Sequence, residues 1–453
     1  MRDTLIEKTA DSSGSTGRGE VKPMNMRYMA PRAQIVHIMD RIYRGGMTTL
    51  SGGNLSIRDD DGSIWITPAG IDKGRLREED IMCVTPDGQA IGPHRPSSEL
   101  PFHRAIYAQR PDIHAIVHAH APALVTFSIV RRIPDTNLIP QARRVCGRVG
   151  YAPYALPGSE VLGQRIAEAF GKGFDAVLLE NHGIATGGTT LLEAYQRLET
   201  LDFLARTQMH AQRLGPLTTL TDEQIRLADH REHLIPEFPT TRPGSREAEL
   251  RSQMADFVQR ACRRQLMIST EGVLSARVSE DAYLITPTGY DRHNLNPEDF
   301  VLIRGGMREA GKIPSRSINL HTAIYRQHPE IQAVITAQSP YATAFAVSES
   351  VLDTRTIPES YIMLVDVPRI PYGMQYRQPE EIAARLSAHT PALLIQNDCV
   401  LTIGRSILNA FDRLEVLEFT ARSLIEALDV GQLVPMDSER LEELQRAFAH
   451  LMG

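Results

Sequence analysis

The sequence predicts an α/β fold built twice in tandem, and three observations carry that reading. Apolar runs of strand length alternate with segments of helical periodicity. A chain of 453 residues is long for one core and ample for two domains of roughly 200 residues each. The chain also repeats itself. I-T-P-A-G at 66–70 returns as I-T-P-T-G at 285–289, and Pro96-Ser97 returns as Pro314-Ser315. Y-Q-R-L-E-T-L-D-F-L-A-R at 195–206 returns as F-D-R-L-E-V-L-E-F-T-A-R at 411–422. A repeat of this kind sets the architecture before any single element is assigned.

Residues 1–26 contain S-S-G-S-T-G-R-G and no apolar stretch of signal-peptide type, so they are expected to be a disordered tail. Copy one is placed at 27–235, a Pro-rich linker at 236–245 and copy two at 246–453. Within copy one, Arg32–Arg44 carries Ile35, Ile38, Met39 and Ile42 at helical spacing. The turn S-G-G-N at 51–54 leads to short strands at Leu55–Arg58 and Ser63–Thr67, joined by D-D-D-G. Ser97–Gln109 reads as a helix and Ala115–His120 as a strand. A Pro-rich crossing segment runs to Pro157, followed by a helix from Ser159 to Phe170. A strand at Ala176–Leu179 then leads to a long helix at Leu191–Leu214.

Hydrophobic content of 42% and charged content of 23% are those of an ordinary soluble globular protein. A net charge of −6 argues against a nucleic-acid surface. The four cysteines, Cys83, Cys146, Cys262 and Cys399, form no C-x-x-C pair, so neither a disulfide framework nor a cysteine zinc site is expected. No apolar run has membrane-spanning length. The expectation is a cytoplasmic protein acting on a small molecule, without nucleic-acid or membrane partners.

The chemistry is concentrated in Pro96–His120, P-S-S-E-L-P-F-H-R-A-I-Y-A-Q-R-P-D-I-H-A-I-V-H-A-H. His118 and His120 stand two apart on a strand, so both side chains point to one face and converge as two ligands of one metal must. A catalytic zinc usually takes three protein ligands and keeps an open position. Asn181-His182-Gly183 offers the third after the apolar run Ala176–Leu179. An H-x-H pair alone is commonly just the polar face of a strand; the upstream acid Glu99 and a third histidine in its own turn raise it above that. Glu99 itself has two readings, an acid/base group or a residue favoured in the first turn of a helix.

The repeat decides between such readings. Glu99 falls opposite Ser317, His118 opposite Thr336, His120 opposite Gln338 and His182 opposite Asp398. Asn54 and Ser98 fall opposite Val273 and Arg316. All are lost together, which favours chemistry for Glu99. His103 survives as His321 and Gly53 as Gly272, so His103 is assigned to structure. His114 is read as a strand-edge residue and His94, on a Gly-Pro-His loop, as solvated.

The ordered set P-S-S-E, H-x-H and N-H-G, spread over Arg27 to Ala228, resembles the class II aldolase/adducin family, in particular its zinc-dependent sugar-phosphate aldolases of the L-fuculose-phosphate aldolase type. The resemblance implies two tandem three-layer α/β/α domains, each with a central, mainly antiparallel sheet covered by helices. Copy one would be catalytic and copy two a degenerate domain without a metal site. The implied activity is a metal-dependent lyase that cleaves a carbon–carbon bond in a small phosphorylated or acidic hydroxy-carbonyl compound through a metal-stabilised enediolate. Glu99 would be the general acid/base, and His118, His120 and His182 would hold Zn²⁺, with Mn²⁺ or Co²⁺ as alternatives. Gly53, Asn54, Ala69, Gly70, Ser97 and Ser98 fall where the family binds substrate phosphate, and small residues in turns and at helix starts suit an anion.

Two positions depart from the family: Ala69 replaces a frequent hydroxyl residue, and Asn137–Pro140 replaces a proton-donating tyrosine supplied by a neighbouring subunit. Decarboxylation or dehydration of a similar substrate uses the same metal chemistry, and an adducin-like assembly role is the non-catalytic alternative. Related epimerases carry Asp at the Glu99 position, which argues against that activity. The resemblance also implies a homodimer closing a pseudo-fourfold ring, in which each copy one faces a neighbouring copy two; Tyr361 is one residue that copy two could supply.

Overall fold

The computed structural model describes residues 26–229 and 235–452. The expected tail at 1–25 lies outside the described residues, and Met26, expected to belong to it, is buried in the core. Copy one contributes β1 (Asn54–Arg58), β2 (Ile64–Ile66), β3 (Met82–Val84), β4 (Ala90–Ile91), β5 (Ala115–Ala119), β6 (Gly150–Ala152), β7 (Ala176–Leu179) and β8 (Gly183–Gly188). They form one sheet in the order β4-β3-β2-β1-β5-β8-β7-β6. Every neighbouring pair is antiparallel except β6 with β7.

Its helices are α1 (Pro31–Arg44), α2 (Leu100–Gln109), α3 (Pro122–Ile129), α4 (Pro140–Cys146), α5 (Glu160–Gly171), α6 (Leu191–Leu214) and α7 (Asp222–Asp229). Strand alternation sends Ile116 to the side of α2 and α5, where it packs with Phe102, Ile106 and Ile166. Ala115, Val117 and Ala119 point the other way, into the layer with Ile38, Leu124 and Leu198 of α1, α3 and α6. Helix α2 begins at Leu100 rather than at the expected Ser97. The Pro-rich crossing segment holds α3, α4 and β6. Pro122 and Pro140 sit in the first helical turn, where a missing N–H costs nothing, so they start helices rather than break them.

Copy two repeats the plan. After β9 (Glu237–Phe238) come β10 (Val273–Arg277), β11 (Ala282–Ile285), β12 (Val301–Arg304), β13 (Met307–Glu309), β14 (Ala333–Ala337), β15 (Arg369–Ile370), β16 (Ala392–Ile395) and β17 (Cys399–Gly404). The order β15-β16-β17-β14-β10-β11-β12-β13-β9 mirrors the first sheet with one strand added. That added strand corrects an expectation: the supposed linker 236–245 supplies β9, which pairs in parallel with β13. Asn54 lies opposite His118 in β1–β5, and Val273 lies opposite Thr336 in β10–β14. The residue-by-residue alignment of the copies is therefore the one the fold adopts. The helices are α8 (Ser245–Arg263), α9 (Ile318–Gln327), α10 (Pro340–Ala346), α11 (Pro358–Leu364), α12 (Met374–Arg377), α13 (Pro379–Ala383), α14 (Ile407–Ala427) and α15 (Ser438–Met452).

The inner helix layers of the copies merge. One apolar cluster runs from Leu55 and Val117 of the first sheet through Phe203 and Leu204 of α6 to Phe345 of α10, Leu414 of α14 and Ile335 of the second sheet. Polar contacts cross the same boundary. Arg41 pairs with Asp291 at 2.7 Å. The Thr218 N–H donates to the Val347 carbonyl at 2.9 Å, and Asn397 Nδ2 donates to the carbonyls of Leu138 at 2.9 Å and Thr218 at 2.6 Å.

This junction uses opposite faces of the two copies, so its counterparts stand open. Phe203 is 2% exposed in the junction, whereas its counterpart Phe419 is 48% exposed. Val347 is fully buried, whereas its counterpart Ile129 is 58% exposed. Asn397 is buried by copy one, whereas Asn181 is exposed.

Candidate metal and acid–base site

The local folding that builds the site begins at three turns. Gly53 has φ +70°, and a Cβ there would meet the His118 carbonyl at 2.8 Å, so glycine is required where β1 enters beside β5. Asn181 adopts φ 55°, which turns the chain between β7 and β8 and presents His182. A Cβ at Gly183 would meet the Ala119 carbonyl at 2.5 Å, so this turn can approach β5 closely only with glycine.

His118, His120 and His182 each offer one ring nitrogen, and these nitrogens lie within 4.8 Å of one another. Among the described residues this is the one cluster of three potential metal ligands. His118 Nε2 and His120 Nε2 are 3.0 Å apart. The buried His118 turns Nδ1 to the Ile184 carbonyl at 2.9 Å, and as a donor there it leaves Nε2 bare toward the cluster. Burial, with the neighbouring rings adding to it, lowers His120 to about 3 and His182 to about 4, so both are neutral imidazoles at pH 7.

Glu99 occupies the position just before α2, and its side chain makes no cap bond. Its carboxylate instead faces the cluster: Oε2 is 3.2 Å from His118 Nε2 and Oε1 is 3.5 Å from His182 Nε2. Burial pushes its carboxyl up, but the nearby His118 and His182 rings and the hydrogen bond from the Asn54 amide outweigh that and hold it well below the usual carboxylate range. Oε1 is buried with no hydrogen-bond partner. Three imidazole nitrogens converging beside an unsatisfied carboxylate oxygen are the donor set a divalent ion of the zinc type takes. The residues fit such an ion.

A hydrogen-bonded chain stands behind the acid. Asn54 Nδ2 donates to Glu99 Oε2 at 2.7 Å, which leaves Asn54 Oδ1 to accept from His103 Nε2 at 2.5 Å. His103 Nδ1 must then accept from Ser56 Oγ at 2.6 Å, and Ser56 Oγ in turn meets the Tyr107 hydroxyl at 2.7 Å. Copy two keeps the rear of this chain, Ser275 Oγ with His321 Nδ1 at 2.7 Å and with the Tyr325 hydroxyl at 2.8 Å. With Val273 in place of Asn54, His321 Nε2 has no partner. His103 is thus a core residue, but in copy one it also orients the residue that holds Glu99.

The six residues expected to bind phosphate divide. The Asn54 side chain is committed to Glu99 and His103. The Ala69 N–H donates to the Arg95 carbonyl at 3.0 Å, and the Ser97 N–H donates to the Thr67 carbonyl at 3.1 Å, so neither is free for an anion. Ser97 Oγ accepts from the Glu99 N–H. Ala69, Gly70 and Ser98 are exposed, and Gly53 lies against His118. Sequence reasoning missed Lys73, whose buried ammonium donates to the Pro68 carbonyl at 2.5 Å and pins this turn; burial lowers it to about 8. An apolar-spaced lysine beside a glycine turn carries no signal that separates it from a surface lysine.

Two other expectations change, those for His94 and Tyr361. His94 Nε2 lies 2.8 Å from the Asp80 carboxylate rather than being merely solvated. His114 stays outside the cluster. Tyr361 is buried, and its hydroxyl accepts from Gln445 Nε2 of α15 at 2.6 Å, so it is turned into its own copy.

The sequence profile described as "Class II Aldolase and Adducin N-terminal domain" matches residues 33–209 and again 252–425. The chain belongs to the class II aldolase and adducin family. Its relatives match one copy's length of this chain. The "3-oxo-tetronate 4-phosphate decarboxylase" of Haemophilus influenzae is 31% identical over 210 residues, 46% of this chain and 99% of the relative. The "L-fuculose phosphate aldolase" of Methanococcus maripaludis is 36% identical over 174 residues, 38% of this chain and 91% of the relative. A solved "L-fuculose 1-phosphate aldolase" is 32% identical, covers 44% of this chain and 93% of its own, and has a TM-score of 0.40. Among the described residues no helix is long and apolar enough to cross a membrane.

Proposed function

We propose that copy one is a metal-dependent carbon–carbon lyase and that copy two is its degenerate, non-catalytic duplicate. The substrate is a small hydroxy-carbonyl compound carrying a phosphate or a carboxylate. The observation that carries the reading is the buried, partnerless Glu99 Oε1 beside three converging imidazoles. A zinc-type ion held by His118, His120 and His182 would supply Lewis acidity to the substrate carbonyl and its neighbouring hydroxyl. Glu99 takes a proton from a substrate hydroxyl as the bond breaks and returns one to the carbon that has lost its partner. Asn54 fixes the carboxylate for that transfer, and the buried Phe102 ring packs edge-on against His118.

Decarboxylation of a 3-oxo acid is the second reading, favoured by the Haemophilus relative of that name, matched over 99% of its length. A panel of phosphorylated hydroxy-carbonyl compounds and hydroxy acids, assayed in parallel for aldehyde release and for carbon dioxide, separates the two. In whichever assay turns over, Glu99→Gln is expected to lose about 10²-fold or more in kcat while keeping bound metal. Near-normal turnover would reduce Glu99 to a helix-start residue.

We also propose that two chains close a ring in which the open face of each copy one meets the open face of the other chain's copy two. The support is the mismatch in exposure between equivalent residues, Phe203 against Phe419 and Val347 against Ile129. A second copy of this chain fits because the junction inside one chain is already built from the complementary faces.

A further inference from the structure

The remnant site of copy two displays what a neighbouring copy contributes. Its cavity of about 70 Å³ is lined by Ser317, Thr336, Gln338 and Asp398, the counterparts of Glu99 and the three histidines. That volume is several times the roughly 10–15 Å³ a single water needs. One wall is foreign to copy two: Gln141, in the first turn of α4, enters from copy one. Gln141 Nε2 donates to Asp398, and its Oε1 is buried without a partner.

The counterpart of Gln141 is fixed by backbone geometry. Gln141 follows Ile139-Pro140, with Ile139 at φ −141° and ψ 126°, and Glu359 follows Ile357-Pro358, with Ile357 at φ −136° and ψ 126°. The segments that follow α6 and α14 also dock alike: the Leu220 N–H donates to the Asn137 carbonyl at 3.0 Å, and the Met436 N–H donates to the Arg355 carbonyl at 2.9 Å. Glu359 therefore holds the position of Gln141 on the face that stands open, and it is exposed.

We infer that the partner subunit's Glu359 enters the mouth of the metal site beside His182, as Gln141 enters the remnant site beside Asp398. The inference rests on the two-chain ring proposed above. The charge pattern agrees with it. A neutral amide meets a carboxyl whose ionisation burial opposes, whereas a carboxylate would meet three imidazoles placed to hold a dication. A carboxylate at the mouth accepts a hydrogen bond from a substrate hydroxyl and repels a phosphate or carboxylate, so it is a specificity-determining residue that sends the anionic end of the substrate elsewhere.

The two readings are tested separately. In the internal junction Leu217 and Ser348 face each other in an antiparallel bridge; their counterparts are Leu433 and Val130. Opposed residues in such a bridge have Cα atoms about 4.5–5.5 Å apart, within disulfide range, and the four native cysteines are buried. Val130→Cys with Leu433→Cys is expected to give an interchain disulfide on oxidation, and its absence would overturn the ring. In the cross-linked dimer, Glu359→Gln is expected to weaken Zn²⁺ affinity, measured by chelator competition, by roughly threefold to tenfold through loss of a nearby charge. A disulfide that forms while Zn²⁺ affinity stays within twofold would keep the ring and overturn the role of Glu359.

Discussion

Asn54 donates to Glu99 through one end of its amide while the other end accepts from the buried His103, so one side chain ties the acid to the core. Copy two has Val273 at this position, and there His321 Nε2 is left without a partner. Asn54→Val should therefore reproduce that state in copy one. The expected cost is about 1–3 kcal/mol in urea unfolding, the scale for an unpaired buried polar group, together with a fall in kcat larger than any change in KM. Unchanged kcat would mean that Glu99 is positioned without Asn54.

Copy one should bind one divalent ion per chain and copy two none. His118→Ala, His120→Ala and His182→Ala should each lose most Zn²⁺ affinity, because two imidazoles rarely hold a catalytic zinc. Metal analysis after dialysis reads this directly. Full metal content in the triple variant, or two ions per wild-type chain, would contradict the assignment.

Acid should unfold the metal-free protein progressively. Burial lowers both His103 and His321 to about 3, against an unfolded value of about 6.5. Below that value the unfolded chain binds protons that the folded protein refuses. Stability is therefore full above about pH 6.5 and falls as pH drops toward 3, by up to about 1.4 kcal/mol per pH unit for each such histidine. His321→Asn, placed in the copy without ligands, should make the fall in urea midpoint between pH 6.5 and 4 shallower. Equal slopes for the variant and the wild type would show that His321 is not a source of the effect.

The ring predicts a dimer that a single charge can split. Phe419 and Val434 are 48% and 83% exposed in one chain, and covering a phenylalanine contributes about 1.5–3 kcal/mol. Phe419→Asp should give folded monomers by light scattering, with unaltered far-UV circular dichroism. The same substitution at its counterpart, Phe203→Asp, should unfold the chain, because Phe203 is buried inside it. A wild-type protein that is monomeric at every concentration would remove the ring.

The sequence by itself determined the duplication and the register between the copies, and it singled out the acid and three histidines that the fold brings together, because each rests on residue types at short spacing or on direct repetition. The i, i+2 rule on β5 put His118 and His120 on one face, and the loss of their counterparts from copy two marked them as a set. It left α3 and α4 unassigned within the Pro-rich crossing segment, since a proline that starts a helix, as Pro122 and Pro140 do, and one that ends it differ only in where the neighbouring N–H groups go.

Only the tertiary structure decided that Asn54 ties Glu99 to His103, which lies 49 residues from Asn54 along the chain. The commitment of the Ala69 N–H to Arg95, and the addition of Glu237–Phe238 to the second sheet as a strand, were likewise decided there. Gln141 reaches Asp398 across 257 residues of chain. Such partners are chosen by how whole layers pack, and no local pattern records which donor faces which acceptor once two sheets and their shared helices have closed over one core.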